Sequence, residues 1–195
     1  MKKLLLFALA ALAVSAAQAV TFNWTVKTPT YNGTSGDQWI GAVLVAGTIT
    51  DITAITGNYS ISGSTGTLTI NLGTANSSAS LIGTSMHCVA AADVSNSVSN
   101  TITGTIPDAT TNLTMVFIAP YQFLQKNPRE TNAAAYYTFD VSDLDIGDTV
   151  TMTFDTIKLN GSSATEATGA TIVPEPTVLA LLALGVAGVA LRRRA

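Results

Sequence analysis

The chain has a single cysteine, Cys88, and a single histidine, His87. One thiol cannot form an intramolecular disulfide, so stability must come from packing. One His and one Cys also rule out the common all-protein zinc sites. In a strand, adjacent side chains point to opposite faces, which separates His87 from Cys88 as base and nucleophile. A buried structural Cys88 beside a half-exposed His87 is the expectation. No Gly-x-Ser-x-Gly elbow and no phosphate loop occurs. Charge is scarce too, at 11% of residues. Between the two apolar ends, residues 20–173 carry only four bases, Lys27, Lys126, Arg129 and Lys158, against eleven acids, a net charge of −7. Such a surface repels phosphate backbones and anionic lipid, which disfavours nucleic acid as a partner. This inventory argues against an enzyme.

What is present is a β pattern. Thr67–Leu72, Thr101–Ile106 and Thr149–Phe154 alternate polar and apolar residues. Period two places an apolar face inward and a hydroxyl face toward water. Further strands are expected at Thr21–Lys27, Trp39–Ile49, Tyr59–Ser62, Leu113–Ala119, Tyr136–Val141 and Thr156–Leu159. Turn clusters such as Gly63-Ser64-Thr65-Gly66 and Asn160-Gly161 punctuate them, and the former predicts a hairpin. The segment Leu81–Asp93 reads as a buried strand or a short helix, and Pro120–Ala135 as a long loop or one helical turn. The expected class is all-β, an antiparallel sandwich or jelly-roll-like domain over residues 20–160. A polar linker is expected over 161–172.

The ends carry ordered signals. Met1-Lys2-Lys3, the apolar run Leu4–Val14 and Ala17-Gln18-Ala19 stand in the order of a secretory signal peptide. Cleavage after Ala19 would leave Val20 as the new N-terminus and implies passage through the Sec export machinery. At the other end, Val173-Pro174-Glu175-Pro176 precedes the apolar run Thr177–Leu191 and then Arg192-Arg193-Arg194. The two prolines are expected to stop any preceding strand. As a helix the run is about 22 Å long, against about 30 Å of bilayer hydrocarbon, a short anchor that snorkelling arginines can accommodate. The arginines keep the C-terminus cytoplasmic and leave residues 20–173 outside.

This triple feature resembles the PEP-CTERM sorting signal over residues 173–195. The resemblance implies recognition by exosortase, an integral-membrane cysteine protease-transpeptidase thought to cut near Pro174-Glu175-Pro176. It further implies transient anchoring in the inner membrane, followed by release to the cell surface or outside. Proteins bearing the signal belong to bacteria that make exopolysaccharide or a biofilm matrix.

Two groups are candidate sites in the domain itself. Asp140, Asp143, Asp145 and Asp148 form an acidic run whose oxygens suit Ca²⁺, although the spacing departs from an EF-hand loop. The alternative is a solvated turn. Trp24 and Trp39 are candidates for stacking on sugar rings, against the alternative of core residues. Three functions follow in order: a non-catalytic structural protein of the surface or matrix, an exopolysaccharide-binding module, and a polysaccharide-active enzyme.

Overall fold

Thr21-Phe22-Asn23-Trp24-Thr25-Val26 alternates polar with apolar side chains and forms the centre of strand β1 (Ala19–Thr30). The computed structural model describes residues 19–30, 39–88, 97–107, 109–127, 129–141, 149–159, 165–166 and 171–175. Among them the chain continues through β2 (Trp39–Ala46), β3 (Thr56–Ser62), β4 (Thr65–Asn71), β5 (Ser80–Cys88), β6 (Val98–Thr105) and β7 (Asn112–Ile118). It ends with β8 (Ala134–Asp140), β9 (Thr149–Lys158), β10 (Thr165–Glu166) and β11 (Thr171–Glu175).

These strands build two main sheets, ordered β11-β9-β1-β6 and β10-β8-β7-β2-β5, and a separate β3-β4 hairpin. The all-β expectation holds. Most pairings are antiparallel, but β1 runs parallel to β9 and β10 parallel to β8. Local alternation specifies that a strand forms and which face it buries, not its neighbour's direction.

The first sheet turns Phe22, Trp24, Val26, Val150, Met152 and Phe154 inward, each at most 1% exposed. They meet the second sheet through Phe117, whose ring stands edge-on to Trp24 (5.4 Å) and to Phe154 (5.0 Å). Burying each such side chain contributes about 1.5–3 kcal/mol, and the edge-on ring pairs add to this. The centre of the second sheet is covered on both sides, since every residue of β2 is buried, as is Leu113–Ile118 of β7. That is why Trp39–Ala46 reads as an unbroken apolar run rather than an alternating one. The outer cover is the β3-β4 hairpin: a Cβ on Gly41 would lie 3.0 Å from Leu68, and one on Gly66 would lie 2.8 Å from the Trp39 ring. The hairpin turns where expected, at Gly63 with φ +61°, and Thr65 Oγ1 donates to the Ser62 carbonyl at 2.8 Å.

The described part of Leu81–Asp93 is strand, β5, and Tyr121–Gln125 is a π-helical turn, each one of the two alternatives the sequence leaves open. Other boundaries differ from the sequence reading. Thr149–Lys158 is one strand rather than two. Thr165–Glu166 and Thr171–Ile172, expected in a linker, are paired in strands, and β11 continues through Pro174 to Glu175. Pro174 does not stop the strand because β11 lies at the sheet's edge, where a missing N–H is tolerated.

Candidate functional site

The two sequence signals at the chain ends converge on one rim of the first sheet. Backbone register places Thr103, Thr21, Thr149 and Glu175 on a single rung, since Thr21 pairs with Thr103 and Thr149, and Thr149 with Glu175. Chain direction does the rest. β1 leaves this rim, its parallel partner β9 leaves it too, and antiparallel β11 returns to it. Ala19, at the expected signal cleavage point, and Glu175, in the sorting motif, therefore lie at the same end of the sheet. Two strand spacings, about 10 Å, separate Glu175 from Thr21, and Ala19 lies two residues further along β1. Val20 is already buried at 2% exposure, so the core starts at the residue that cleavage after Ala19 would leave first.

Pro174 and Glu175 are the register partners of Val150 and Thr149. Ile172, opposite Met152, is half-buried against the core, and Thr171, opposite Thr153, is exposed. Pro176, Ala17 and Arg192, Arg193 and Arg194 lie outside the described residues, as does the apolar run before the arginines. Among the described residues no helix is long and apolar enough to cross a membrane.

The outward face of the first sheet is a neutral array. Thr21, Asn23 and Thr25 of β1 stand beside Thr149, Thr151 and Thr153 of β9, and beside Ser99, Thr101 and Thr103 of β6. Thr101 Oγ1 donates to Asn23 Oδ1 at 2.8 Å. One ion pair, Lys27 Nζ to Asp155 Oδ1 at 2.7 Å, closes the far end, with both side chains more than half exposed. At that exposure the pair is worth little, about 0–1 kcal/mol.

Trp24 and Trp39 do not offer rings to a ligand. Trp24 is fully buried and Trp39 is 9% exposed under Gly66. The Trp24 indole N–H is satisfied internally by Ser85. The sugar-stacking role expected of these two residues is corrected: both belong to the core. The alternation of β1 held the signal, since Trp24 shares the parity of Phe22 and Val26. Cys88 is exposed rather than buried, because it ends β5 at the rim of its sheet; His87 is half-buried.

Of the acidic run, Asp140 ends β8 and is exposed, whereas Asp143, Asp145 and Asp148 lie outside the described residues. Among the described residues no three His, Cys, Asp or Glu side chains gather as a metal site. A cleft of about 270 Å³ at one end of the second sheet is lined by Ser78, Ser80, Thr110, Thr111 and Asn112, with Ala109 beside them at φ +62°. Among the described residues its lining is neutral and carries no base to activate these hydroxyls.

One cluster that the sequence did not announce is structural. Arg129 stacks on Phe123, with the guanidinium carbon 3.9 Å from the ring centroid, and Nη1 donates to the Thr53 carbonyl at 2.8 Å. Burial lowers the Arg129 pKa from its ordinary value, and nearby Asp51 opposes that shift. Asp51 is itself held below the usual aspartate pKa, chiefly by the Thr53 hydroxyl and then by the Thr53 N–H. Asn76, fully buried, has Oδ1 accepting from the N–H groups of Thr50 and Asp51 and Nδ2 donating to the carbonyls of Asp51 and Leu72. These contacts pin the loops around the hairpin.

A model of the PEP-CTERM protein-sorting motif matches residues 173–194. The match begins inside β11 and covers Pro174, Glu175, Pro176 and the three arginines. No curated protein and no solved structure matches the chain. The tail therefore carries the sorting motif that the sequence resembles, and that motif marks an exported protein handled by an exosortase-type system.

Proposed function

We propose that the chain is a non-catalytic structural protein of the cell surface or extracellular matrix, delivered by a signal peptide and released by an exosortase-type protease. The observation that carries this reading is the sorting motif over residues 173–194. Its position supports the reading further. The motif leaves the domain at the rim where β1 begins, so a signal peptide and an apolar tail can occupy the membrane together while the domain stands on one side. Before processing, the tail holds the protein in the inner membrane with Arg192, Arg193 and Arg194 in the cytoplasm. Afterwards the β domain is free in the matrix or held at the surface.

Intact mass of the protein from the cell envelope and from the medium tests this. The expected species starts at Val20 and lacks the tail, and it is found at the surface or in the medium. A retained tail, with all protein in the inner membrane, overturns the reading and leaves a tail-anchored domain.

A second reading is supported by the outward face of the first sheet. Nine Thr, Ser and Asn side chains in register offer hydroxyl and amide partners with little charge, a surface suited to a neutral polysaccharide. With Trp24 and Trp39 in the core, affinity would rest on hydrogen bonds rather than on stacking by these rings. Co-sedimentation with the exopolysaccharide of the producing cells should then be lost in Thr151→Lys with Thr103→Lys and kept in the wild type.

A further inference from the structure

The folded sheet contains the beginning of its own sorting motif. Val173, Pro174 and Glu175 are paired along β9, and only Pro176 stands between Glu175 and the apolar run that starts at Thr177. No spacer separates the sheet from the segment that would enter the membrane. A protease takes its substrate as an extended strand and reads the main-chain groups along it, as in strand addition to a sheet edge. In β11 one side of that main chain is already taken by β9, and backbone held in this way resists cleavage.

We propose that the edge of β9 and the sorting protease compete for Val173–Glu175. With β11 docked the precursor is protected; with β11 detached the motif is presented. The inference rests on the exosortase reading above. The latch is built to open. β11 has five residues and a single neighbour, Pro174 supplies no N–H, and of Thr171 and Ile172 only Ile172 packs against the core. A short edge strand with one neighbour opens locally at a small fraction of the global unfolding free energy. Once the motif is presented, the protease thiolate adds to a backbone carbonyl carbon near it and the C–N bond breaks. The tail leaves as an amine that takes up a proton, and the thioester passes its acyl group to water or to an acceptor amine. The domain's part is to set how often that bond is within reach.

Thr171 and Thr153 are register partners on β11 and β9, and Thr171 lies outside the matched motif. A Thr153→Cys, Thr171→Cys pair, with Cys88→Ser to remove the exposed native thiol, would lock the strand in place under oxidation. Tail removal from pulse-labelled full-length protein is followed by mass in the producing cells, with and without reductant. The oxidised chain should lose its tail at least about tenfold more slowly than the reduced chain. Ile172→Asp, which weakens docking without touching the matched motif, should lose it faster than the wild type. Equal rates in oxidised and reduced chains, with the tail removed from both, overturn the competition and leave the sorting reading standing. A tail kept by the wild type as well overturns the sorting reading and this inference with it.

Discussion

The indole N–H of Trp24 donates to Ser85 Oγ at 2.9 Å, joining β1 of one sheet to β5 of the other. The bond crosses the core, and the ring around it is fully buried against Phe117. Trp24→Ala should cost about 3–5 kcal/mol through the cavity it leaves. Ser85→Ala should cost about 1–3 kcal/mol, since a buried indole N–H loses its acceptor. Denaturant unfolding followed by far-UV circular dichroism measures both. A loss below about 1 kcal/mol for Trp24→Ala would contradict its placement in the core.

Asn76 is a second buried anchor. Its amide satisfies two N–H groups and two carbonyls in the loops flanking the hairpin. Asn76→Ala should destabilise the domain by about 2–4 kcal/mol, because several buried backbone groups lose partners at once. Asn76→Asp keeps the acceptor but not the donors, and should be no better. Hydrogen exchange should show the N–H groups of Thr50 and Asp51 losing protection first.

Gly83 and Gly104 let β5 and β6 approach where one sheet passes the other. A Cβ on Gly104 would lie 2.3 Å from the Ile82 carbonyl oxygen, and one on Gly83 would lie 2.6 Å from Ile102 Cγ2. Gly104→Ala meets backbone that cannot rotate away, so it should cost about 2 kcal/mol or more. Gly83→Ala meets a side chain first and should cost less. Comparing the two thermal midpoints checks the order.

Asp51 predicts an acid limb. Its carboxylate accepts from the Thr53 hydroxyl and N–H, which holds its pKa below the usual value. A folded pKa below the unfolded one gives stability that is present above the unfolded value and lost as pH falls through the folded value. The stability difference between wild type and Asp51→Asn should therefore be largest above the ordinary aspartate range and close as pH falls below it. A difference independent of pH would mean that Asp51 has the same pKa folded and unfolded, so that its hydrogen bonds do not favour the carboxylate.

The alternating runs were the most legible part of the sequence. Thr67–Leu72, Thr101–Ile106 and Thr149–Phe154 fall largely within β4, β6 and β9, because period two depends only on a half-buried face. The partners of those strands could not be read, because β1 meets β9 through contacts between residues far apart in sequence. Residue type leaves Trp24 between sugar stacking and the core, and its parity within β1, shared with Phe22 and Val26, decides for the core. Proline as a strand stop is a rule for central strands that relaxes at an edge, where Pro174 sits. The rim that brings Ala19 and Glu175 together follows from strand directions, which one sequence does not state.

The first strand of the domain, β1, lies between β6 and β9, and its Lys27 meets Asp155, a partner 128 residues further along. Contacts of that span close slowly, because loop entropy is lost before any pairing is gained. A chain delivered N-terminus first could not complete this sheet until β9 had followed. The first strand of the domain therefore waits for one of its last before the sheet can close.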